Sequence, residues 1–367
     1  MRVVRISEYV TPSPGGKEVH VHELTRSQAR RGRSVCLMYR VGENAGWPFP
    51  AKRVLSSTGF WRRLPNGLVS TCFLAAILAE IVRERRAIDL AHFHGDYREA
   101  VLAGAVRLLG IPSLLTLHGR LSPRVLKRAG LAYHLPSHVI AVSPAIVAQL
   151  ETVGLPRRKM TIQSSGIDPT LFFPARKVPG PPPFRLIVGS ALIELKDHPT
   201  LFEAVRLLQI GGLDVRIEVA GAGPERPRLE GLAPSGTRFH GQLERPFLAA
   251  LMRHCHLAVL SSIDTRDSGE GTPTFLMEAM ACGLPFVATA SGGIPPLAAR
   301  SRAGLVVEQR RPDELAAAVQ EVLLDRALYG ARRRAALAFA RSVQWDRVSR
   351  RLDCLMESLV SADNRHR

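Results

Sequence analysis

The chain has 367 residues, 46% of them hydrophobic and 22% charged, and a formal net charge of +18. That length supports two domains with cores of their own, and the apolar share is ordinary for a soluble globular protein. The five cysteines (36, 72, 255, 282 and 354) are scattered without a Cys-x-x-Cys pair, which argues against disulfides and structural zinc and fits a reducing cytoplasm.

Met1-Arg-Val-Val-Arg-Ile reads as a first strand rather than a secretion signal, because no long apolar region follows its charges. From there short apolar strands alternate with amphipathic helices, the rhythm of parallel α/β layers. The first half predicts strands at Val3–Ile6, Ser34–Tyr39, Leu90–His94, Ser113–His118, Val139–Val142 and Met160–Gln163, with helices such as Val19–Arg31 and Ser143–Val153 between them. The longest apolar run, Leu68 to Val82, contains Thr71, Cys72 and Glu80 and is too short to span a bilayer. Residues 173–183, rich in proline, cannot hold a regular element. The second half predicts strands at Phe184–Val188, Val215–Ala220, Thr237–Phe239, Leu257–Leu260, Phe286–Ala290 and Gly304–Val307, then an amphipathic helix from Trp345 to Val360. The expected organisation is one doubly wound domain over 1–173, a linker over 174–183, a second doubly wound domain over 184–344, and a terminal helix and tail over 345–367. Such sheets would face a central cleft at the carboxyl ends of their strands, where these folds bind ligands.

The most informative stretch is Glu270-Gly-Thr-Pro-Thr-Phe-Leu-Met-Glu278-Ala-Met-Ala-Cys-Gly283, with two carboxylates eight positions apart. Thr272 suits an N-cap and Pro273 the first helical position, so a helix is predicted to run to Cys282 and stop at Gly283. Glu270 then lies on the preceding loop and Glu278 on the second turn. The free N–H groups of Thr274, Phe275 and Leu276 would form an anion site. Acceptors for sugar hydroxyls and donors for phosphate thus sit on one element, as a nucleotide-sugar requires.

This stretch resembles the Glu-x7-Glu signature of the family-4 retaining glycosyltransferases, which have the GT-B fold. Other segments extend the resemblance in order. Pro-Ser-Pro14-Gly15-Gly16-Lys17-Glu18 is similar to the family's first glycine-rich loop, and Leu192-Ile-Glu-Leu-Lys196-Asp-His to its phosphate-binding turn. Ala220-Gly221-Ala-Gly223-Pro224 resembles its glycine turn, Ser291-Gly292-Gly293 a later turn, and Trp345-Asp-Arg the start of its C-terminal crossover helix.

The resemblance implies that Glu278 accepts hydrogen bonds from the donor's ribose hydroxyls, a match of two carboxylate oxygens to a cis-diol. It implies that Glu270 orients the transferred sugar and that His118 contacts that sugar at the reaction centre. Lys196 would meet the diphosphate, whose charge grows as the glycosidic bond breaks. Gly15, Gly16, Gly221, Gly223 and Gln242 would let backbone approach the donor, with Thr274 and Phe275 at the helix N-terminus. Asp96, Tyr97 and Arg98, after a strand end, would line the acceptor side. The family often has arginine five positions before the lysine, where this chain has Ala191, and often reads Pro-Asn-Gly near Gln163-Ser-Ser-Gly166. The glycine-rich loop is not a Walker A motif, because Thr11 and Glu18 stand where glycine and Ser or Thr are required. His20/His22 and His92/His94 have a spacing metals can use, yet no third ligand is evident, and no metal or cofactor is expected.

Arginine supplies 44 of the 50 basic residues, dispersed with local clusters and no nucleic-acid motif, so no specific nucleic-acid partner is expected. An anionic membrane face is the better-supported partner, through Phe60-Trp61-Arg62-Arg63, making the expected location cytoplasmic and peripheral. The leading expectation is a retaining transferase moving a hexose from a nucleotide diphosphate to a hydroxyl acceptor. The alternatives are a non-catalytic relative that binds a nucleotide or glycan and, more distantly, a basic nucleic-acid-binding protein.

Overall fold

The structure is a computed structural model that describes residues 1–11, 16–43, 46–55, 64–177, 180–265, 269–271 and 273–364. The chain divides into two compact units, Met1–Gly166 with Trp345–Arg367, and Ile167–Gln344.

The first unit holds β1 (Arg2–Ile6), β2 (Ser34–Tyr39), β3 (Ala51–Arg53), β4 (Leu90–His94), β5 (Ser113–Leu117), β6 (His138–Ala141) and β7 (Met160–Ile162). They form one parallel sheet in the order β3-β2-β1-β4-β5-β6-β7, with Val4 opposite Cys36 on one side and Ala91 on the other. Every residue of β4 and β5 is buried, as strands covered on both faces must be. The short edge strand β3 was not anticipated, because Ala-Lys-Arg carries no apolar run. The apolar run Leu68–Val82 lies in the helix Asn66–Glu84, whose Val69, Phe73, Ile77 and Ile81 are buried in the core. With the turn that follows, Asn66–Ala87 is long and apolar enough to cross a membrane by length and composition, longer than the sequence run alone suggests.

The terminal helix Trp345–Asn364 belongs to this first unit, although residues 167–344 intervene in the chain. Its Trp345, Val348, Leu352 and Met356 pack with Val3, Leu24, Val35, Leu90, Leu114 and Ile140, closing one face of the sheet. Buried Asp353 anchors it, accepting from Gln28 Nε2 at 2.5 Å and Arg33 Nε at 3.2 Å and pairing with Arg31.

The second unit holds β8 (Phe184–Gly189), β9 (Val215–Ala220), β10 (Thr237–Gly241), β11 (Leu257–Leu260), β12 (Phe286–Thr289) and β13 (Gly304–Val307), in the parallel order β10-β9-β8-β11-β12-β13. The division falls at Gly166, ahead of the linker expected over 174–183, because Ile167 and Phe172 are buried in the second unit's core. Both sheets grow outward through their first three strands and then reverse to the other side of the first one. The β1/β4 and β8/β11 ends are therefore topological switch points, where the crossover helices diverge and leave room for a ligand.

Candidate functional site

The second unit's switch point carries the two carboxylates. The helix Thr274–Ala281 starts one residue later than expected: Pro273 is its N-cap and offers no side-chain cap. Thr272, the expected cap, lies outside the described residues. Among the described residues no side chain caps the leading N–H groups of Thr274 and Phe275. Gly189, at the end of β8, is needed because a Cβ there would stand 2.3 Å from the buried Phe275 ring. Glu278 is the one charged residue of a helix whose apolar side chains are all buried, and it accepts from Arg245 Nη2 at 2.9 Å. The Arg245 guanidinium in turn lies 5.2 Å from the Phe172 ring centroid. Arg245 was not singled out from the sequence, because nothing local distinguishes it from the other arginines.

Glu270 is buried, and its Oε1 accepts from Lys196 Nζ and from Ser262 Oγ at 2.6 Å. Its backbone N–H donates to Ser291 Oγ at 3.3 Å, and Ser291 donates to Asp264 Oδ1 at 2.9 Å. Gly292 has φ +47°, and a Cβ there would stand 2.0 Å from the Glu270 carbonyl oxygen. The turn 291–293 thus holds the Glu270 backbone, and Lys196 and Ser262 hold its side chain. Lys196 ends a short turn, Glu194–Lys196, and its carbonyl accepts from Ser261 Oγ at 3.0 Å. Sequence reasoning missed Ser262, and it marked Ser291 only as the start of a turn. Their positions directly beyond β11 and β12, at strand carboxyl ends, are the signal that would have found them.

Gly221 and Gly223 serve close packing of strand-end loops. A Cβ on Gly221 would stand 1.9 Å from the Ser190 carbonyl oxygen, and one on Gly223 2.3 Å from that of Leu192. The loop they buttress bears Ala191, which is exposed, and Gln242 is exposed after β10.

In the first unit the switch point gathers histidines. His118, half-buried after β5, has its Nε2 2.9 Å from His94 Nδ1 at the end of β4. His20, on the helix Gly16–Arg30, stacks edge-on against His118 with centroids 4.8 Å apart and against Trp345 at 5.2 Å, and its Nδ1 lies 2.9 Å from Ser165 Oγ. His22, two positions on, points elsewhere, toward Trp47 and Phe49, so His20 and His22 share no face. His92 does share a face with His94, at 4.2 Å between centroids, and its Nδ1 meets Arg5 Nε at 3.4 Å. The third partner that sequence spacing could not supply is therefore His118, brought from another strand. Burial holds all four rings neutral: the pKa of His20 falls to about 3, with Arg5 adding to the shift, and those of His92, His94 and His118 fall well below the usual value.

Asp96 is the N-cap of the helix Tyr97–Leu108, accepting from the Arg98 N–H at 2.9 Å, while Glu99 closes a capping box. Burial pushes the Glu99 carboxyl up to about 7. The Tyr97 ring and hydroxyl are engaged by Arg98. Asp96 thus has a structural task, and Tyr97 and Arg98 pair with each other. Gly16 opens the helix Gly16–Arg30, whereas Gly15 and the Phe60–Arg63 segment lie outside the described residues. Lys196, Glu270 and the Thr274–Ala281 helix thus form one constellation in the second unit, and His20, His94 and His118 another in the first.

Known proteins match this picture. The family model for Glycosyltransferase Family 4 matches residues 14–171, and that for Glycosyl transferases group 1 matches residues 183–325. WcaL of Salmonella typhimurium, named for a glycosyltransferase of colanic acid biosynthesis, is 28% identical over 68% of this chain and 64% of its own. The chain thus spans less than two thirds of that relative's length. A D-inositol 3-phosphate glycosyltransferase of Arthrobacter sp. is 26% identical over 91% of this chain and 88% of its own. HepE of Anabaena, solved with UDP, is 17% identical, with a TM-score of 0.78 over 98% of this chain and 100% of HepE. That likeness bears out the expected GT-B fold. With both halves matched in chain order, this protein belongs to the GT-B glycosyltransferases of the family 4 type.

Proposed function

We propose that the chain is a retaining glycosyltransferase that moves a hexose from a nucleotide diphosphate sugar to a hydroxyl acceptor. The observation that carries this is the Lys196–Glu270–Ser262 constellation, its Glu270 and Ser262 buried and Glu270 four residues ahead of the helix that presents Glu278. In this reading Lys196 and the helix N-terminus take the diphosphate and supply the positive charge, so the reaction needs no essential metal. Glu278 turns from Arg245 to the ribose hydroxyls, and Glu270 orients the sugar. His118, neutral and held by His94, can donate or accept a hydrogen bond at the sugar without carrying charge. The leaving phosphate helps to deprotonate the acceptor on the face from which it departs.

The reading draws support from relatives. HepE has been solved with UDP and glucose and with UDP-glucose, and WcaL is named for polysaccharide biosynthesis. The five cysteines are free, which suits a reducing cytoplasm, and the +18 charge suits a peripheral place on an anionic membrane face. Calorimetry with UDP, GDP, ADP and dTDP tests the donor, followed by NMR of the product's anomeric proton with the matching sugar. Selective binding and a product with the donor's anomeric configuration are expected; an inverted product sinks the retaining mechanism.

Ala191 favours one second reading. It is exposed where the family often has arginine, so a cation facing the diphosphate is missing there. A non-catalytic relative would bind the nucleotide and turn over no donor with any acceptor.

A further inference from the structure

We propose that His20, His94 and His118 form a reversible binding site for one divalent transition ion of the zinc type, and that occupancy withdraws His118 from the reaction. Binding itself is independent of the proposed activity; the inhibition rests on the reading of His118 given above.

Each of these residues offers one ring nitrogen, and the three nitrogens lie within 4.8 Å of one another, the one such group among the described residues. They come from three separate elements: the helix Gly16–Arg30, the end of β4, and the residue after β5. Tetrahedral zinc at about 2.0–2.1 Å from each nitrogen needs them roughly 3.3 Å apart, so side-chain shifts of about 1 Å suffice. His94 and His118 are already close, at 2.9 Å between ring nitrogens.

The chemistry of the donor set is specific. Three imidazoles without a carboxylate suit zinc, cobalt, nickel or copper and disfavour magnesium and calcium, which take oxygen. The hydrogen bond between His94 Nδ1 and His118 Nε2 places a proton on one of those two nitrogens, which an incoming ion displaces as it binds. His94 Nε2 is buried and has no hydrogen-bond partner among the described residues. Leaving that nitrogen unmatched costs stability, which ligation through Nε2 itself would recover. His20 Nδ1 is braced by Ser165 Oγ, the kind of outer contact that fixes a ligating ring. His118 is only half-buried, so an ion can enter beside it and keep one position open. Arg5, whose guanidinium contacts His92 behind the cluster, opposes a divalent charge. That repulsion keeps the affinity moderate and makes the site one that loads and empties.

The test uses tag-free full-length protein titrated with Co2+ alone as a spectroscopic probe and then with Zn2+ as competitor. One Co2+ per chain, with the visible bands of nitrogen ligation and displacement by Zn2+, is expected. His20→Asn and His94→Asn should each weaken Co2+ binding at least about tenfold while nucleotide binding by the second unit persists. His20 sits on a helix rather than in the central sheet, so its variant carries the comparison if His94→Asn fails to fold. No saturable Co2+ binding, or binding undiminished in the folded variants, overturns the site. If Zn2+ loads the wild-type site yet leaves sugar transfer unchanged, the metal site stands and the placement of His118 at the reaction centre falls.

Discussion

Lys196 donates to the same Glu270 oxygen that accepts from Ser262, so the proposed phosphate cation and the proposed sugar carboxylate are in contact. An incoming diphosphate must share Lys196 with Glu270 and weaken that pair. Glu270→Gln keeps the shape and removes the competing charge. Affinity for the free nucleotide diphosphate should hold or rise, while transfer falls by about 100-fold. Calorimetry and initial rates on one preparation check both; a parallel loss of both would place Glu270 in nucleotide binding instead.

Lys196→Met should act oppositely. It strips the diphosphate of its fixed cation and leaves Glu270 buried beside Ser262 alone. Turnover should drop about 100- to 1,000-fold, with nucleotide affinity lowered as well.

Glu278→Gln should cost about 1.5–3 kcal/mol of nucleotide affinity, since hydrogen bonds to a charged acceptor are the strong ones. The sharper readout is discrimination. Wild type should prefer a ribonucleotide over its deoxy analogue, and the variant should lose most of that preference. Equal losses on both nucleotides would mean that Glu278 acts on Arg245 rather than on ribose.

Glycine packing is testable by contrast. Gly221 has φ +152° and no room for a Cβ beside Ser190, whereas Gly231, in the helix Arg226–Leu232, meets nothing within 4 Å. Gly221→Ala should destabilise the second unit by about 2 kcal/mol or more, and Gly231→Ala should be neutral or stabilise by about 0.5–1 kcal/mol. Urea unfolding followed by a probe within the second unit measures both.

Acid should weaken the first unit early. The unfolded chain takes up protons on its histidines near 6.5, whereas folded His20 resists down to about 3 and its neighbours also resist. The unfolded state therefore binds more protons below about 6.5, so stability falls as pH drops through that window. Each such histidine contributes a slope of about 1.4 kcal/mol per pH unit. Buried Glu99, raised to about 7, runs the other way: its contribution is full below its ordinary value and is lost as pH rises through about 7. Urea midpoints from pH 7 to 4 should decline steeply, and His20→Asn should flatten the decline.

Much of this molecule was legible in the order of its residues. Among the described residues, all but one of the strands were predicted within a residue or two, because fully buried parallel strands are continuous apolar runs bounded by turns. The signature helix, its stop at Gly283 and the carboxylates on loop and second turn follow from capping chemistry and helical period, which are local. Edge strand β3 escaped because its three residues pair by backbone alone.

Partnership between distant residues was beyond the sequence. Arg245 with Glu278, Lys196 with Glu270 and Ser262, and Asp353 with Gln28 each join positions separated by many residues, and no periodicity encodes such pairs. The crossover helix at Trp345 was expected from the resemblance, whereas its packing partners and the meeting of His20, His94 and His118 were not. By itself the sequence determined the elements, their parallel layering and the residues able to do chemistry, since those depend on local backbone preference and side-chain type. Tertiary structure alone decided which charges are paired, which rings are desolvated and which nitrogens converge, because burial and distance exist only once the sheets are assembled.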